Sequence, residues 1–272
     1  MAKNQVMVNP VSKLKAVLNA ESVQQQFKNA LKENADGFVA SIIDLYSSDN
    51  YLQKCDPNKV VMEALKAATL KLPINKQLGF AYIVPYKKNN IPIPQFQIGY
   101  KGYIQLAMRT GQYKFLNAGV VYEGVEVKQN LLTGELSFEG EPTSDKAQGY
   151  FSYLELLNGF SKSVYMTVEK VTAHAKRYSP SYKSESSAWK TNFDEMAQKT
   201  VTRRLLSRYG FLSTEMITAL TNDEDFNEES GVVEEIDANA NAETIDVEYE
   251  VNDAEPKPTE KKETNKQEGP DF

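Results

Sequence analysis

The sequence predicts a single α+β domain. It should hold a small antiparallel sheet and hairpins packed on helices, a long basic C-terminal helix and a disordered acidic tail. Three observations carry this prediction. Apolar residues recur at spacings of three and four between residues 21 and 68, the mark of amphipathic helices. From residue 79 the pattern changes to aromatic and β-branched runs broken by turn residues. From Asp223 onward acids accumulate and aromatics thin out, leaving too little apolar surface to offset chain entropy.

Each element has its own signal. Residues 1–20 read as a flexible segment. Glu21 to Ser48 is helical on Val23, Phe27, Ala30 and Leu31, then on Phe38, Val39, Ile42, Ile43 and Tyr46. Asp56-Pro57 opens the next helix, with Asp as N-cap and Pro in the first position. Val60, Val61, Ala64, Leu65 and Ala68 give that helix its stripe, and it ends before Pro73. "GFAYIVPY" (79–86) and "IPQFQIGY" (93–100) read as the strands of a hairpin with a basic "KKNN" turn. A helix from Lys101 to Thr110 should follow, closed by Gly111.

The second half is read in the same way. "KFLNAGVVYEGVEV" is strand, and "LLTGELSFEG" is a turn flanked by strands. "QGYFSYLELLNGFSKSVYMTV" is a hairpin around Asn158-Gly159, the strongest turn signal in the chain. "VEKVTAHAKRYS" is a short helix and "SPSYKSESS" a loop. A long helix from Ala188 to Tyr209 stops at Gly210, and "STEMITALT" is a terminal helix capped by Ser213. The domain is therefore placed at 21–222 and the tail at 223–272.

Composition removes several functions. One cysteine, Cys55, excludes an intramolecular disulfide and fits a reducing cytosol. With one His and one Cys, a structural zinc site of four such ligands cannot form. His174 lacks the GxSxG partner of a hydrolase and reads as structural or surface. No apolar run suits a signal peptide or a membrane span, so a cytoplasmic protein is expected.

The net charge of −6 conceals an asymmetry. Residues 223–272 hold 18 of the 37 acids and 4 of the 31 bases, a net of −14. The remaining 19 acids and 27 bases leave 1–222 at +8. A basic body with an acidic tail suits a nucleic-acid binder. No Asp or Glu occurs in the 59 residues between Glu63 and Glu123, which carry eight bases and nine aromatics. Bases neutralise phosphates and aromatics offer faces to unpaired bases.

Candidate contacts follow from that block and from the long helix. Lys101, Gln105 and Arg109 share one arc of a helical wheel, opposite an apolar arc. Gly99 and Gly102 should let a DNA backbone approach, beside Phe96, Gln97 and Tyr100. Lys87 and Lys88 form a basic hairpin tip. Lys199, Arg203, Arg204 and Arg208 should line a basic face of the long helix, with Lys190 and Thr200. Lys176 and Arg177 add bases on the helix before it, and Trp189 reads as core. "GYKGYIQLAMRTG" matches neither GxxxxGK[ST] nor GxGxxG, so no ATP site and no other cofactor is expected. No metal site is assigned, and dependence on a divalent cation stays open.

"LPINKQLGFAYIVPY", "FQIGYKGYIQLAMRTG" and "W…FDEMAQKTVTRRL", in that order, resemble the three most recognisable blocks of the RecT family of phage and prophage annealing proteins. The match runs from about Pro57 to Leu220. The family positions are Gly99, Tyr100, Lys101, Gly102, Arg109 and Gly111, then Met196, Ala197, Lys199, Thr200, Arg203, Arg204 and Leu205. The chain departs from the family at Leu72-Pro73 and at Glu123-Gly124-Val125, which stands in place of Glu-Gly-Asp.

The resemblance implies an ATP-independent recombinase that coats single-stranded DNA and pairs complementary strands, forming rings or helical filaments. It also implies work beside a 5′→3′ exonuclease and a host single-strand-binding protein in a bacterial cell. The acidic tail is either a docking arm for those partners or a solubilising tail. Two other readings stay open at this point. One is a nucleic-acid binder without annealing activity. The other is a nuclease, for which only Glu123 with Glu126, and Glu139 with Glu141, offer close acid pairs.

Overall fold

The computed structural model describes residues 9–88, 90–185 and 187–223. The acidic tail from Glu224 onward, and the flexible reading of residues 1–8, lie outside the described residues. The remainder of the expected flexible segment is corrected. Residues Pro10–Leu18 form helix α1, because Asn9 caps Val11 and because Leu14 and Leu18 are fully buried. A helix with two core leucines is tied down by packing.

Three further helices complete the N-terminal layer: α2 (Glu21–Leu31), α3 (Ala35–Ser48) and α4 (Pro57–Thr69). The continuous pattern over 21–48 breaks at Lys32, whose φ of 54° ends α2. Asp56 caps α4 as expected, accepting from the Asn58 amide at 2.9 Å, with Pro57 in the first turn. Strands β1 (Ala81–Lys88) and β2 (Ile91–Ile98) pair antiparallel, with Lys88 opposite Ile91. The hairpin is thus tighter than expected, and Lys87 and Lys88 belong to β1 rather than to the turn. Helix α5 (Tyr100–Arg109) follows directly.

A three-stranded antiparallel sheet forms next, in the order β3 (Tyr113–Tyr122), β6 (Ala147–Leu156) and β7 (Ser161–Thr167). A separate hairpin, β4 (Glu126–Gln129) with β5 (Leu136–Glu139), is inserted between β3 and β6. It leans on the sheet through Phe138 and Phe151, whose rings lie 5.1 Å apart. Gly124, at φ 98°, makes the break that divides the expected long strand into β3 and β4.

Helices α6 (Val168–Tyr178), α7 (Ala188–Thr191), α8 (Phe193–Tyr209) and α9 (Thr214–Asn222) end the described chain. The expected unbroken helix over 188–209 is interrupted at Asn192, with φ −140° and ψ 53°. Ser213 caps α9, accepting from the Met216 amide at 3.1 Å.

Two cores meet at α8. The larger unites α1–α5 and α9 with β1 and β2, and takes Leu205 and Leu206 from α8. The smaller lies between β6, β7, α6 and α7, and takes Ala197 and Val201 from α8. A helix that fills two cores must be buried on opposite sides. This corrects the expectation of a broad basic face on α8.

Candidate nucleic-acid interface

The corner between β1, β2 and α5 is built by close backbone contact. Phe80 accepts from the Gly99 amide at 3.0 Å, and Gly99 in turn accepts from Gly102 at 2.9 Å. A Cβ on Gly99 would lie 2.2 Å from the Gly79 carbonyl oxygen, and one on Gly102 would lie 2.2 Å from that of Phe80. The two glycines therefore admit the protein's own chain, not a DNA backbone as expected. Phe96 is fully buried, so it offers no stacking face. Gln97 is also buried, and its amide donates to the Tyr86 hydroxyl.

In the Lys101, Gln105 and Arg109 arc, Lys101 and Arg109 are both exposed, and Lys101 Nζ lies 5.9 Å from the Tyr100 ring centroid. Gln105 is half-buried. Arg109 donates to the Leu70 and Lys71 carbonyls at 2.7 and 2.9 Å. It thereby closes the end of α4, where carbonyls and the helix dipole favour a cation. The acid-free block is also partly neutralised from outside. Lys66 pairs with Glu63 at 3.0 Å, Lys76 with Asp49 at 3.0 Å and Lys114 with Glu155 at 2.7 Å. Lys87 is exposed, and the side chain of Lys88 lies outside the described part.

The largest correction concerns α8. Lys199 is 3 % exposed and pairs at 3.1 Å with Asp223, which is 2 % exposed. The other Asp223 oxygen accepts from the Tyr103 hydroxyl at 2.6 Å. Arg203 donates to the Leu220 carbonyl at 3.1 Å, so both bases hold α9 against α8. Thr200 is buried and donates to the Met196 carbonyl. Arg204 is half-buried, and Arg208 alone stands exposed. The wheel failed here because it cannot show that α5, through Tyr103, and the end of α9 lie over the Lys199 side.

Burial pushes the Tyr103 hydroxyl well above the usual tyrosine range, and Asp223 adds to the rise. Burial raises Tyr46 and Tyr150 as well, the latter helped by its 2.5 Å bond to Asp194. Such groups hold their proton in the folded protein after the unfolded chain has lost it. Their stability contribution is complete below the unfolded value near 10 and declines as pH rises past it. In an alkaline titration, these tyrosines should ionise only as the far-ultraviolet signal of the fold is lost. Full tyrosinate absorbance with that signal intact would contradict this.

Further exposed bases lie along the segment from the end of α6 to α7. Lys176 and Arg177 end α6, Lys183 ends the short 3-10 turn Pro180–Lys183, and Lys190 lies on α7. All four are exposed, and none is ion-paired with a carboxylate among the described residues. Arg177 lies 5.1 Å from the Tyr178 ring centroid, and Lys190 Nζ lies 5.2 Å from that of Tyr182. Tyr182 in turn contacts Trp189, which packs edge-on against Phe193 at 5.8 Å. The hydroxyls of Ser179, Ser181 and Ser187 form a chain with spacings of 3.0 and 3.2 Å, tying the turn to α7.

Lys190 is thus brought to Tyr182, and Arg177 lies beside Tyr178, so the segment from α6 to α7 adds residues that sequence reading passed over: Tyr178, Tyr182 and Lys183. Their signal was present in "KRYSPSYK", where bases and tyrosines recur together, but serine and proline made the segment read as plain loop. Tyrosines and exposed cations side by side are the side-chain types that can stack on unpaired bases and contact phosphates.

An α+β body with such a surface, and with the three sequence blocks at its β1–α5 corner and on α8, is that of a DNA-binding recombination protein. The model of the RecT family matches residues 36–236, and the chain belongs to that family. It is 42% identical over 273 residues to Uncharacterized protein YqaK of Bacillus subtilis (strain 168), covering 95% of this chain and 92% of the other. It is 28% identical over 218 residues to Protein RecT of Escherichia coli (strain K12), covering 76% and 78%. No helix among the described residues is long and apolar enough to cross a membrane.

Proposed function

We propose that the chain is an ATP-independent single-strand DNA annealing protein that acts as an oligomer and catalyses no bond cleavage. The observation that carries this reading is the α6–α7 platform, set in a chain of the RecT family. Lysine and arginine hold phosphates without regard to sequence. Stacking on Tyr178 or Tyr182 covers the face of a base and leaves its pairing edge open. A strand held in this way can be tested by a second strand, so Watson–Crick pairing supplies the specificity. No cofactor takes part. A 5′→3′ exonuclease and a host single-strand-binding protein, met through the acidic tail in the bacterial cytoplasm, are the proposed partners.

Two complementary dye-labelled oligonucleotides mixed with protein and no ATP provide the test. Annealing should be faster than without protein, and both strands should keep their length. Binding without acceleration would leave only a generic single-strand binder, and shortened strands would indicate a nuclease. The platform has its own expected result. Lys176→Ala, Arg177→Ala and Lys190→Ala together should lower the slope of log affinity against log salt by about 2, at roughly 0.7 per phosphate on single strands. Lys114→Ala, which removes a base already paired with Glu155, should leave the slope unchanged. An unchanged slope in the triple variant removes the platform from the interface.

A further inference from the structure

The tip of the β4–β5 hairpin presents two leucines to solvent. Leu131 is 94% and Leu132 92% exposed, the extreme values among the large apolar residues described. The loop that carries them is firmly built. The Asn130 side chain accepts from the Leu132 and Thr133 amides at 2.9 and 3.2 Å, and its carbonyl accepts from Gly134 at 2.8 Å. Two side chains of β7 anchor the same turn: Lys162 donates to the Thr133 carbonyl at 2.6 Å and Ser163 to that of Gly134 at 3.0 Å. Ordering this loop on binding therefore costs little further entropy.

Charge decides what the tip can meet. Residues 126–141 carry Glu126, Glu135, Glu139 and Glu141 against Lys128, and with Lys162 of β7 held at the tip the hairpin stays net acidic. An acidic hairpin is repelled by DNA phosphate, so a leucine wedge into stacked bases is disfavoured. The complementary surface lies elsewhere on the same chain. A groove of about 400 Å³ runs between α1, the start of α4 and the start of β2. Ile91 and Pro92 give it apolar lining, and Lys13, Lys54 and Lys59 outnumber its one acid, Asp56.

We infer that the leucine tip of one copy docks in the basic groove of the next. Tip and groove share no residue, so the contact is heterologous: each copy gives one and takes one. Such a contact propagates into a closed ring or an open helical filament. This deepens the oligomeric part of the proposed function and rests on that reading for its biological sense.

The test uses the 272-residue chain and two variants, followed by sedimentation velocity. Leu131→Ser with Leu132→Ser removes the tip, and Lys13→Glu with Lys54→Glu and Lys59→Glu reverses the groove. Both sets lie on the surface, so thermal melting should match the parent protein. Each variant alone should sediment as a monomer while the parent assembles. Mixed in equal amounts, the two should form dimers and nothing larger, because one intact tip and one intact groove remain. Retention of parental size by either variant, a monomeric parent, or a mixture that does not dimerise would overturn the inference. Parental size combined with lost oligonucleotide binding in the tip variant would assign the leucines to DNA instead. Annealing by the parent is read separately, so failure of the proposed function leaves a different signature.

Discussion

Lys199→Ala should cost about 3–5 kcal/mol of stability, because it leaves the Asp223 carboxylate buried without its cation. Lys199 and Asp223 are almost entirely shielded from water and 3.1 Å apart, so solvent does not screen the pair. Total stability of a domain is about 5–15 kcal/mol, so the variant should be partly unfolded under mild denaturant. Lys199→Met combined with Asp223→Asn removes both charges and should recover much of the loss. Urea unfolding of the single and double variants measures this. A single-variant loss below about 1 kcal/mol would mean that Asp223 swings out to water and that the pair does not anchor α9. The folded double variant should also bind single-stranded DNA with the parental salt slope, since Lys199 lies inside the protein.

Gly102→Ala should destabilise by about 1–3 kcal/mol or more, the usual range for overpacking a tight site. The new methyl would sit 2.2 Å from the Phe80 carbonyl oxygen and 2.8 Å from Ile98 Cγ2. The first of these is backbone and cannot rotate away. Shifting it would also break the bond it accepts from the Gly99 amide, which turns β2 into α5. Gly37→Ala in α3 is the matched control. Nothing lies within 4 Å of its added Cβ, so alanine should gain up to about 1 kcal/mol there through helix propensity. Thermal unfolding of the two variants should therefore shift in opposite directions. A neutral Gly102→Ala would show that the β1–α5 corner is looser than its contacts imply.

Local signals foretold local structure well. Asp56-Pro57 and Ser213 begin helices, Asn158-Gly159 turns a hairpin, and the switch from a helical to a strand pattern falls where α4 gives way to β1. These features depend on a few adjacent residues and their backbone preferences. The site was less legible because its meaning depends on distant neighbours. Lys199 and Arg203 read as a basic face until α5 and the end of α9 were laid over them. Arg109 read as a phosphate ligand until the end of α4 was brought beside it. The acid-free block read as uniformly positive until Asp49 and Glu155 were folded against it. Arg177 and Lys190 kept their expected exposure, since the tyrosines beside them lie close in sequence.

The position of Asp223 also gives one residue two identities. By composition it is the first residue of the acidic tail. By packing it belongs to the core of the described residues, joined to Lys199 and Tyr103. A truncation after Asn222 would take away a keystone along with the tail, and lost activity could then be blamed on the wrong segment. A cut placed one residue later leaves the Lys199–Asp223 pair in place.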